Sequence, residues 1–360
     1  MLRSHVPSSR RRRWAVAAAG SALLLAGCGA HADHPTTSPP PSSSTSTSTT
    51  PPTTAPAPRP TCPLTGQPAP GGKVPQRAAL AIKVGNDPGA WPQSGLDRAD
   101  IVIEEPIEGA MTRLVAIYQC NESAAVGPVR STRWIDDQML PQFGHPGFAF
   151  AGGIIPDEAL VHAAGLVDLN FDRVPGAYVR ISSRYPPENL YASTAALWKA
   201  MTPATAPHPI FHYGSPTKAG PPVTAATLQF SSSYSVGWQW VPSAHLWLRT
   251  VDGSVDRTAV GHPLHAANVV IERVATVSGT WPEDVNLALG VHSITVGSGP
   301  LVVLTGGRAV SGTWSRSSTA VPARLVTTGG TPITLAPGPT WVELLPSGGF
   351  VTGSLTLHDG

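Results

Sequence analysis

The sequence predicts an α+β protein, with an N-terminal α/β domain built on a mixed sheet and a C-terminal, mostly-β domain. Strand-like and helix-like segments alternate between residues 61 and 205. From residue 224 helical periodicity disappears, and short alternating runs are separated by Gly, Pro and Ser. With 39 Pro, 36 Gly and 13% charged residues, the 360-residue chain is not a coiled coil or a long helical bundle.

Residues 1–27 are typical of an export signal. Four consecutive arginines, 10–13, precede a 14-residue apolar stretch, which is too short to span a bilayer of about 30 Å. The stretch ends in Leu25-Ala26-Gly27-Cys28, which matches the cleavage site of bacterial lipoproteins. We predict a signal peptide over 1–27 and a Cys28 that carries acyl chains such as palmitate; an uncleaved signal anchor is the alternative.

A disordered tether is predicted over 28–60. Residues 31–60 contain nine Pro, six Ser and eight Thr, and such a segment has too few apolar groups to offset its ordering entropy. The density of Ser and Thr also fits O-glycosylation. The tether would connect the folded part to the extracytoplasmic face of the bacterial cell membrane. The membrane is thus a predicted binding partner, through the lipid anchor.

The net charge of +2 is distributed unevenly along the chain. Five of the 24 basic residues, and no acidic ones, lie in 1–27, so the remainder has 19 Lys+Arg against 22 Asp+Glu, or −3. A general nucleic-acid binder needs a basic face, so no nucleic-acid partner is expected. Cys62 and Cys120 remain as a pair in an oxidising compartment, and we predict a disulfide between them, with two unpaired thiols as the alternative.

The elements of the N-terminal domain follow from apolar runs and turn residues. Buried strands are predicted over 78–84, 101–105, 113–118 and 147–151, the second and third as an adjacent pair. Helices are predicted over 131–142, 156–164 and 194–201, the first with Ser131 as its N-cap. The N-terminal domain is placed at 61–205.

A Pro-rich linker over 206–223 joins it to the second domain, at 224–360. Strands are predicted there over 235–241, 245–251, 267–277, 293–296, 301–304, 323–327 and 339–344. Trp238 and Trp240 fall on one strand face, opposite Trp247 if the first two of these strands form a hairpin. Such an aromatic row can stack on sugar rings, although small β-domains also use Trp as core.

Several common catalytic motifs are absent from the sequence. There is no GxSxG, SxxK, HExxH, paired CxxC, P-loop or GxGxxG after a strand, so no cofactor is expected. His208 and His212 have metal-like spacing but lie in the Pro-rich linker without a third ligand, and His262 and His265 lie in a Gly/Pro turn. No metal site is expected.

The N-terminal domain contains a polar cluster. Glu104 and Glu108 follow one strand, and paired carboxylates can act as acid and base in glycoside cleavage. Arg130 and Arg133 are three apart at a predicted helix start, where guanidinium groups and free N–H groups can hold an anion. The alternatives are a structural ion network, anion binding or catalysis. The candidate ligand-binding residues are Asn86, Arg113, Arg130, Arg133, Arg184, Asn189 and Tyr191.

Motifs spread over residues 62–346 resemble the YerB-like bacterial lipoproteins, whose two domains are domains of unknown function (3048). The N-terminal motifs are Pro92-Gln93-Ser94-Gly95-Leu96, Ala99-Asp100-Ile101-Val102, Glu108-Gly109, Thr112-Arg113 and Gly127-Pro128-Val129-Arg130-Ser131-x-Arg133. The junction and C-terminal motifs include Asn189-Leu190-Tyr191, Asn268-Val269-Val270, Gly312-Thr313-Trp314 and Pro337-Gly338-x-Thr340-Trp341-x-Glu343. The resemblance implies a two-domain, membrane-anchored, extracytoplasmic protein.

One position departs from the family pattern. Relatives typically carry His before the Asn-Leu-Tyr triplet, whereas this chain has Glu188. If that His is a general acid or base in the family, its replacement argues against an enzymatic role, although Glu also transfers protons.

We expect a non-enzymatic envelope lipoprotein that binds an anionic wall component through Arg113, Arg130 and Arg133, because these arginines are gathered in an otherwise acidic chain. Two other functions stay open. One is a peptidoglycan- or glycan-cleaving hydrolase that uses Glu104 and Glu108. The other is a scaffold that contacts another envelope protein through its aromatic β-domain.

Overall fold

The computed structural model describes residues 59–284 and 286–359. The predicted signal peptide, Cys28 and the tether up to residue 58 lie outside the described residues. The helices are α1 (Trp134–Met139), α2 (Ile155–Ala163) and α3 (Thr194–Ala200). The strands are β1 (Leu80–Gly85), β2 (Ile101–Pro106), β3 (Thr112–Tyr118), β4 (Gly147–Ala149), β5 (Val167–Asp168), β6 (Tyr178–Arg180), β7 (Leu190–Ala192), β8 (His212–Tyr213), β9 (Val223–Ser231), β10 (Tyr234–Val241), β11 (Leu246–Val251), β12 (Ser254–Val255), β13 (His265–Ala266), β14 (Asn268–Pro282), β15 (Leu289–Ile294), β16 (Gly297–Thr305), β17 (Arg308–Arg316), β18 (Arg324–Thr327), β19 (Thr334–Leu335), β20 (Thr340–Gly349) and β21 (Ser354–Asp359).

An 11-stranded mixed sheet has the order β18-β17-β16-β14-β20-β2-β3-β1-β4-β5, with β15 beside β14. Strand β20 lies near its centre, parallel to β14 on one side and to β2 on the other. Ile101 is the register partner of Thr340, and Glu104 is that of Glu343. Strands from both predicted domains therefore belong to one sheet.

A second, six-stranded sheet packs on one face of the large sheet. Its order is β12-β11-β10-β9-β21, with β13 beside β11. Successive strand residues point to opposite faces, so Ile82 of β1 and Val102 of β2 share a core with Trp238 and Trp247 of the second sheet. This core joins the two sheets.

The other face of the large sheet packs against helices. Ala81 and Ile103 share a second core with Ile135 of α1 and Val161 of α2. Because β1 and β2 are buried on both faces, their sequences are continuous apolar runs without strict alternation.

Most predicted elements are confirmed. The strands expected over 101–105 and 113–118 are β2 and β3, an antiparallel pair, and α2 and α3 match two predicted helices. The helix expected over 131–142 is shorter and begins at Trp134. The Asp136 carboxylate accepts hydrogen bonds from Thr132 Oγ1 and the Arg133 N–H, while Ser131 Oγ donates to a backbone carbonyl and caps nothing.

The tryptophans of β10 and β11 are core residues. The two strands form the expected hairpin, with Trp240 opposite Trp247. Trp238 is 1% exposed and Trp247 is fully buried, because the face that carries them packs on the large sheet. The core role is therefore confirmed, and the sugar-stacking row is wrong.

The disulfide between Cys62 and Cys120 is confirmed. It ties Cys62, near the beginning of the described chain, to Cys120, two residues after the end of β3. In the segment 206–223, β8 pairs in parallel with β19 and Ile210 is buried. Within 59–284 and 286–359, no helix is both long and apolar enough to span a bilayer.

Candidate functional site

Two adjacent glutamates at the end of β2 enter two different clusters. Glu104 and Glu105 are successive strand residues, so their side chains point to opposite faces of the sheet. Their exposed fractions are 0% and 1%. Glu104 faces the second sheet, where it meets Arg249, and Glu105 faces the helices, where it meets Lys83. Strand alternation thus places one carboxyl group on each side.

The closed cluster surrounds Glu104. Arg249 Nη2 donates to Glu104 Oε2 at 2.6 Å, while Thr112 Oγ1 and Tyr234 OH each donate to Oε1 at 2.7 Å. Asn86 Nδ2 lies 3.1 Å from the same Oε1. Both Glu104 oxygens are therefore occupied by protein donors. The members are Asn86, Glu104, Thr112, Tyr234, Arg249, Asp256 and Glu343, all buried except the half-buried Asp256.

One guanidinium in the closed cluster forms ion pairs with two carboxylates. Arg249 pairs with Glu104 and Asp256, and its guanidinium lies 4.6 Å from the centre of a tryptophan ring. Burial, followed by the charge of Glu104, raises the pKa of Glu343 well above its ordinary value. Trp238 Nε1 donates to Glu343 Oε1 at 2.9 Å. We infer that Glu343 is the protonated member of the cluster.

The open cluster lies on the helix side of the large sheet and consists of Asp87, Arg113, Arg130 and Glu188. Arg113 Nη1 and Arg130 Nη2 both donate to Asp87 Oδ2, at 3.1 and 2.9 Å, and Arg130 Nη2 also donates to Glu188 Oε1 at 2.7 Å. Their side chains are 8–17% exposed. The Nε atoms of both arginines are buried without a partner among the described residues.

The open cluster balances two arginines against two carboxyl groups, but the Arg113 guanidinium is poorly paired. Burial, with the guanidinium groups of Arg133 and Arg130, lowers the pKa of Arg113 to about 10. Burial acts to raise the pKa of Asp87, but Arg130 and then Arg113 lower it below its ordinary value. Burial raises the pKa of Glu188. A bound anion would therefore stabilise the charged form of Arg113 and supply acceptors for its unused donors.

Arg133 has a different environment. Its Nε lies 2.9 Å from Glu108 Oε2 and 2.8 Å from Glu283 Oε2, and its Nη1 donates to the carbonyl of Thr132 at 2.9 Å. Burial acts to lower the pKa of Arg133, but Glu108 and Glu283 raise it above its ordinary value. Arg133 is thus fully engaged by protein carboxylates.

The remaining predicted ligand-binding residues, Arg184, Asn189 and Tyr191, are not members of the open cluster. Arg184 donates to two backbone carbonyls of the segment 90–92, at 2.9 and 2.8 Å. Asn189 Oδ1 accepts a hydrogen bond from Arg180 Nη1 at 2.8 Å, and Tyr191 is 5% exposed.

The predicted site residues are therefore divided among separate groups. Glu104 belongs to the closed cluster with Asn86, whereas Glu108 is paired with Arg133. The two candidate catalytic carboxylates are bound by different arginines, and a hydrolase stays a prediction, as does a protein scaffold. In the part of the chain that the structure describes, no group of three or more His, Cys, Asp or Glu side chains is arranged to hold a metal ion.

Sequence analysis missed several charged residues of these clusters. The sequence does contain a signal for Lys83, because it is the one charged residue in the apolar run 78–84. Arg249 and Glu343 are likewise charged residues inside predicted strands. Burial of such charges is expected only with a partner, but the partner comes from another element and leaves no local pattern.

Comparisons with known proteins agree on one family. Residues 64–206 match the N-terminal domain, and residues 226–342 the C-terminal domain, of the protein of unknown function DUF3048. A Bacillus subtilis (strain 168) protein named "Putative lipoprotein YerB" is 27% identical over 295 residues, which cover 76% of this chain and 83% of that protein. The crystal structure of the YerB protein from Bacillus subtilis matches with a TM-score of 0.70 at 23% identity, and covers 82% of this chain and 99% of that one.

Proposed function

The chain belongs to the DUF3048 family, and we propose that it is an extracytoplasmic lipoprotein that binds an anionic ligand of the cell envelope through Arg113 and Arg130. Cys28 would anchor it to the cell membrane. The ligand would carry carboxylate or phosphate groups, as peptidoglycan stem peptides and polyanionic wall polymers do.

The anchoring proposal rests on the N-terminal sequence. Arginines followed by a 14-residue apolar stretch and Leu25-Ala26-Gly27-Cys28 are typical of lipoprotein export signals. The similarity to a protein named as a lipoprotein supports the same function. Several acyl chains give stable membrane attachment, because each buried methylene contributes about 0.8 kcal/mol.

One test of the anchor is direct. Cys28→Ala removes the thiol that would receive the lipid, so the protein should no longer incorporate labelled palmitate and should leave the membrane fraction. The matched control is the unchanged chain, expressed and fractionated in parallel. Retention of Cys28→Ala in the membrane without label would contradict a lipid anchor at this residue.

The anion-binding proposal is carried by Arg113. Its guanidinium has one hydrogen bond, to a carboxylate oxygen that Arg130 shares, and its Nε is buried without a partner within the described residues. Arginine recognises carboxylate and phosphate through several donors at once, and Arg113 keeps most of its donors available. Arg133 is excluded from the proposed site because Glu108 and Glu283 engage it.

Retention on purified cell wall tests the anion site. Arg113→Gln with Arg130→Gln removes both guanidinium groups, and we expect at least a tenfold weaker retention, roughly the effect of losing charge-assisted hydrogen bonds. Arg59→Gln with Arg324→Gln is the control, because it removes the same two charges from exposed positions. Salt should weaken retention of the unchanged protein. Equal retention of all variants would rule the site out.

A further inference from the structure

A third group of charged side chains, apart from the closed and open clusters, lies around Arg133, between the helices and the β14–β15 hairpin. It contains two cations, Lys83 and Arg133. Five carboxyl groups surround them, those of Glu105, Glu108, Asp136, Asp157 and Glu283. Negative charge is therefore in excess, in contrast to the open cluster.

Four of the five carboxyl groups form ion pairs with Lys83 or Arg133, so both cations already have carboxylate partners. Lys83 pairs with Glu105, and its Nζ lies 2.8 Å from Asp136 Oδ1. Arg133 pairs with Glu108 and with Glu283. The other oxygen of Asp136 accepts hydrogen bonds from a threonine hydroxyl and a backbone N–H. Each of the four thus has a positively charged partner.

Asp157 is the carboxyl group that is left over. It lies in the first turn of α2, is 4% exposed, and its Oδ2 is buried without a partner among the described residues. Burial, followed by the charge of Glu283, raises the pKa of Asp157 to about 7. A buried carboxylate without a cationic partner is unfavourable, so the site lacks one positive hydrogen-bond donor.

We propose that Asp157 is the anchor of a cation-binding site that accepts a primary ammonium group of a small ligand, such as the amine of an amino acid or an amino sugar. An ammonium group is compact, carries three donors and fits a single free carboxylate. A hard metal ion needs more oxygen ligands than one. The proposal does not depend on the anion site, because the two sites use different residues.

Four charged or titratable groups face Asp157. They are Arg133 and Asp136 from the start of α1, Glu283 from the hairpin, and His292 of β15, which stacks on Trp134 at 4.3 Å. An ammonium ligand needs the ionised form of Asp157. Binding should therefore strengthen as pH rises through about 7, the value to which burial and Glu283 raise the pKa of Asp157, and it should be lost in acid.

Calorimetric titration of the full chain in detergent with n-propylamine tests the proposal, with propanol as the neutral analogue. Propylammonium stays charged below pH of about 10, so the pH dependence reports on the protein. We expect saturable binding at a pH of about 8.5, and about tenfold weaker binding in Asp157→Asn, the effect of losing an ionic hydrogen bond. Glu158→Gln, one residue further on the same helix, should bind as the unchanged chain does.

If Asp157→Asn fails to fold, the proposal is still tested by the pH dependence of propylammonium binding to the unchanged protein. Tighter binding of propylammonium as pH rises through about 7, preserved in His292→Asn, supports Asp157 as the anchor. The proposal is overturned by pH-independent binding, by absence of saturable binding, by equal binding of propanol, or by a folded Asp157→Asn that binds normally.

Discussion

The closed and open clusters both pair arginine with Asp and Glu, but they differ in what covers these side chains. Arg249 and Glu104 are 0% exposed and lie between two sheets, with both Glu104 oxygens occupied by protein donors. Arg113 and Arg130 share one carboxylate oxygen and remain 8–14% exposed. A buried Nε without a partner among the described residues is common to Arg113, Arg130 and Arg249.

This difference separates Arg249, which has a structural environment, from Arg113 and Arg130, which we propose for ligand binding. In the closed cluster, side chains from the large sheet and the second sheet complete one another, so the network holds the two sheets together. In the open cluster, two partly exposed guanidinium groups share one carboxylate oxygen, so a ligand could approach them. The exposure of the guanidinium groups distinguishes the two clusters better than an ion pair or an unpartnered Nε does.

The largest expected effect is on folding in the closed cluster. Glu104→Ala leaves Arg249 buried with Asp256 as its remaining carboxylate, and we expect the free energy of unfolding to fall by about 3–5 kcal/mol. Denaturant unfolding measures it. Glu158→Ala is the control and should change stability by less than about 0.5 kcal/mol. A loss below about 1 kcal/mol for Glu104→Ala would mean that the buried ion pair of the closed cluster contributes no more to stability than an exposed one.

The pH dependence of stability sharpens the same comparison. Burial and Glu104 raise the pKa of Glu343 in the folded protein, so the folded state holds a proton that the unfolded chain releases above the ordinary Glu range. Stability from this group is therefore present at low pH and decreases as pH rises above about 4.3, by up to about 1.4 kcal/mol per pH unit.

Glu343→Gln isolates this effect, because glutamine keeps the shape and does not ionise. The free energy of unfolding of this variant should decline less steeply with pH than that of the unchanged chain. Unfolding curves at intervals between a pH of about 5 and about 8 provide the measurement. Identical slopes would mean that Glu343 is not the proton-holding group.

The smallest expected effect is on folding in the open cluster. Arg113→Gln removes a buried charge whose pKa is lowered to about 10, and Arg130 still pairs with Asp87. We expect the free energy of unfolding to change by no more than about 1 kcal/mol, in either direction, since replacing a poorly paired buried charge is often neutral. A loss as large as that of Glu104→Ala would make Arg113 a structural residue.

Local patterns predicted most elements but not their assembly. The apolar runs of β2, β3, β14 and β20 were each visible in the sequence, whereas β9, β17 and β21 were missed. In β9, buried Ala226, Leu228 and Phe230 alternate with partly exposed Thr227 and Gln229, so a period-two strand pattern is present in the sequence and was overlooked.

The candidate site was predicted in part for the same reason. Arg113 and Arg130 were named from sequence and lie together, but Glu104 and Glu108, grouped by their spacing, are bound by different arginines. Asp157 and Glu283 were missed, since their relation to Arg133 joins a helix start to a distant hairpin. Such contacts bring together residues that are 100 or more positions apart and leave no periodicity.

The sequence by itself predicted the pairing of the two remaining cysteines, the strands with strong apolar runs and membership of the family, which are confirmed, and an export segment, which stays a prediction. Each depends on residue type and local order. Only the tertiary structure decided that β20 inserts between β14 and β2, and which arginines are covered. Burial and hydrogen-bond supply depend on what packs over a side chain. That property belongs to the assembled sheets, and it separates Arg249, which both sheets cover, from Arg113, which stays partly exposed.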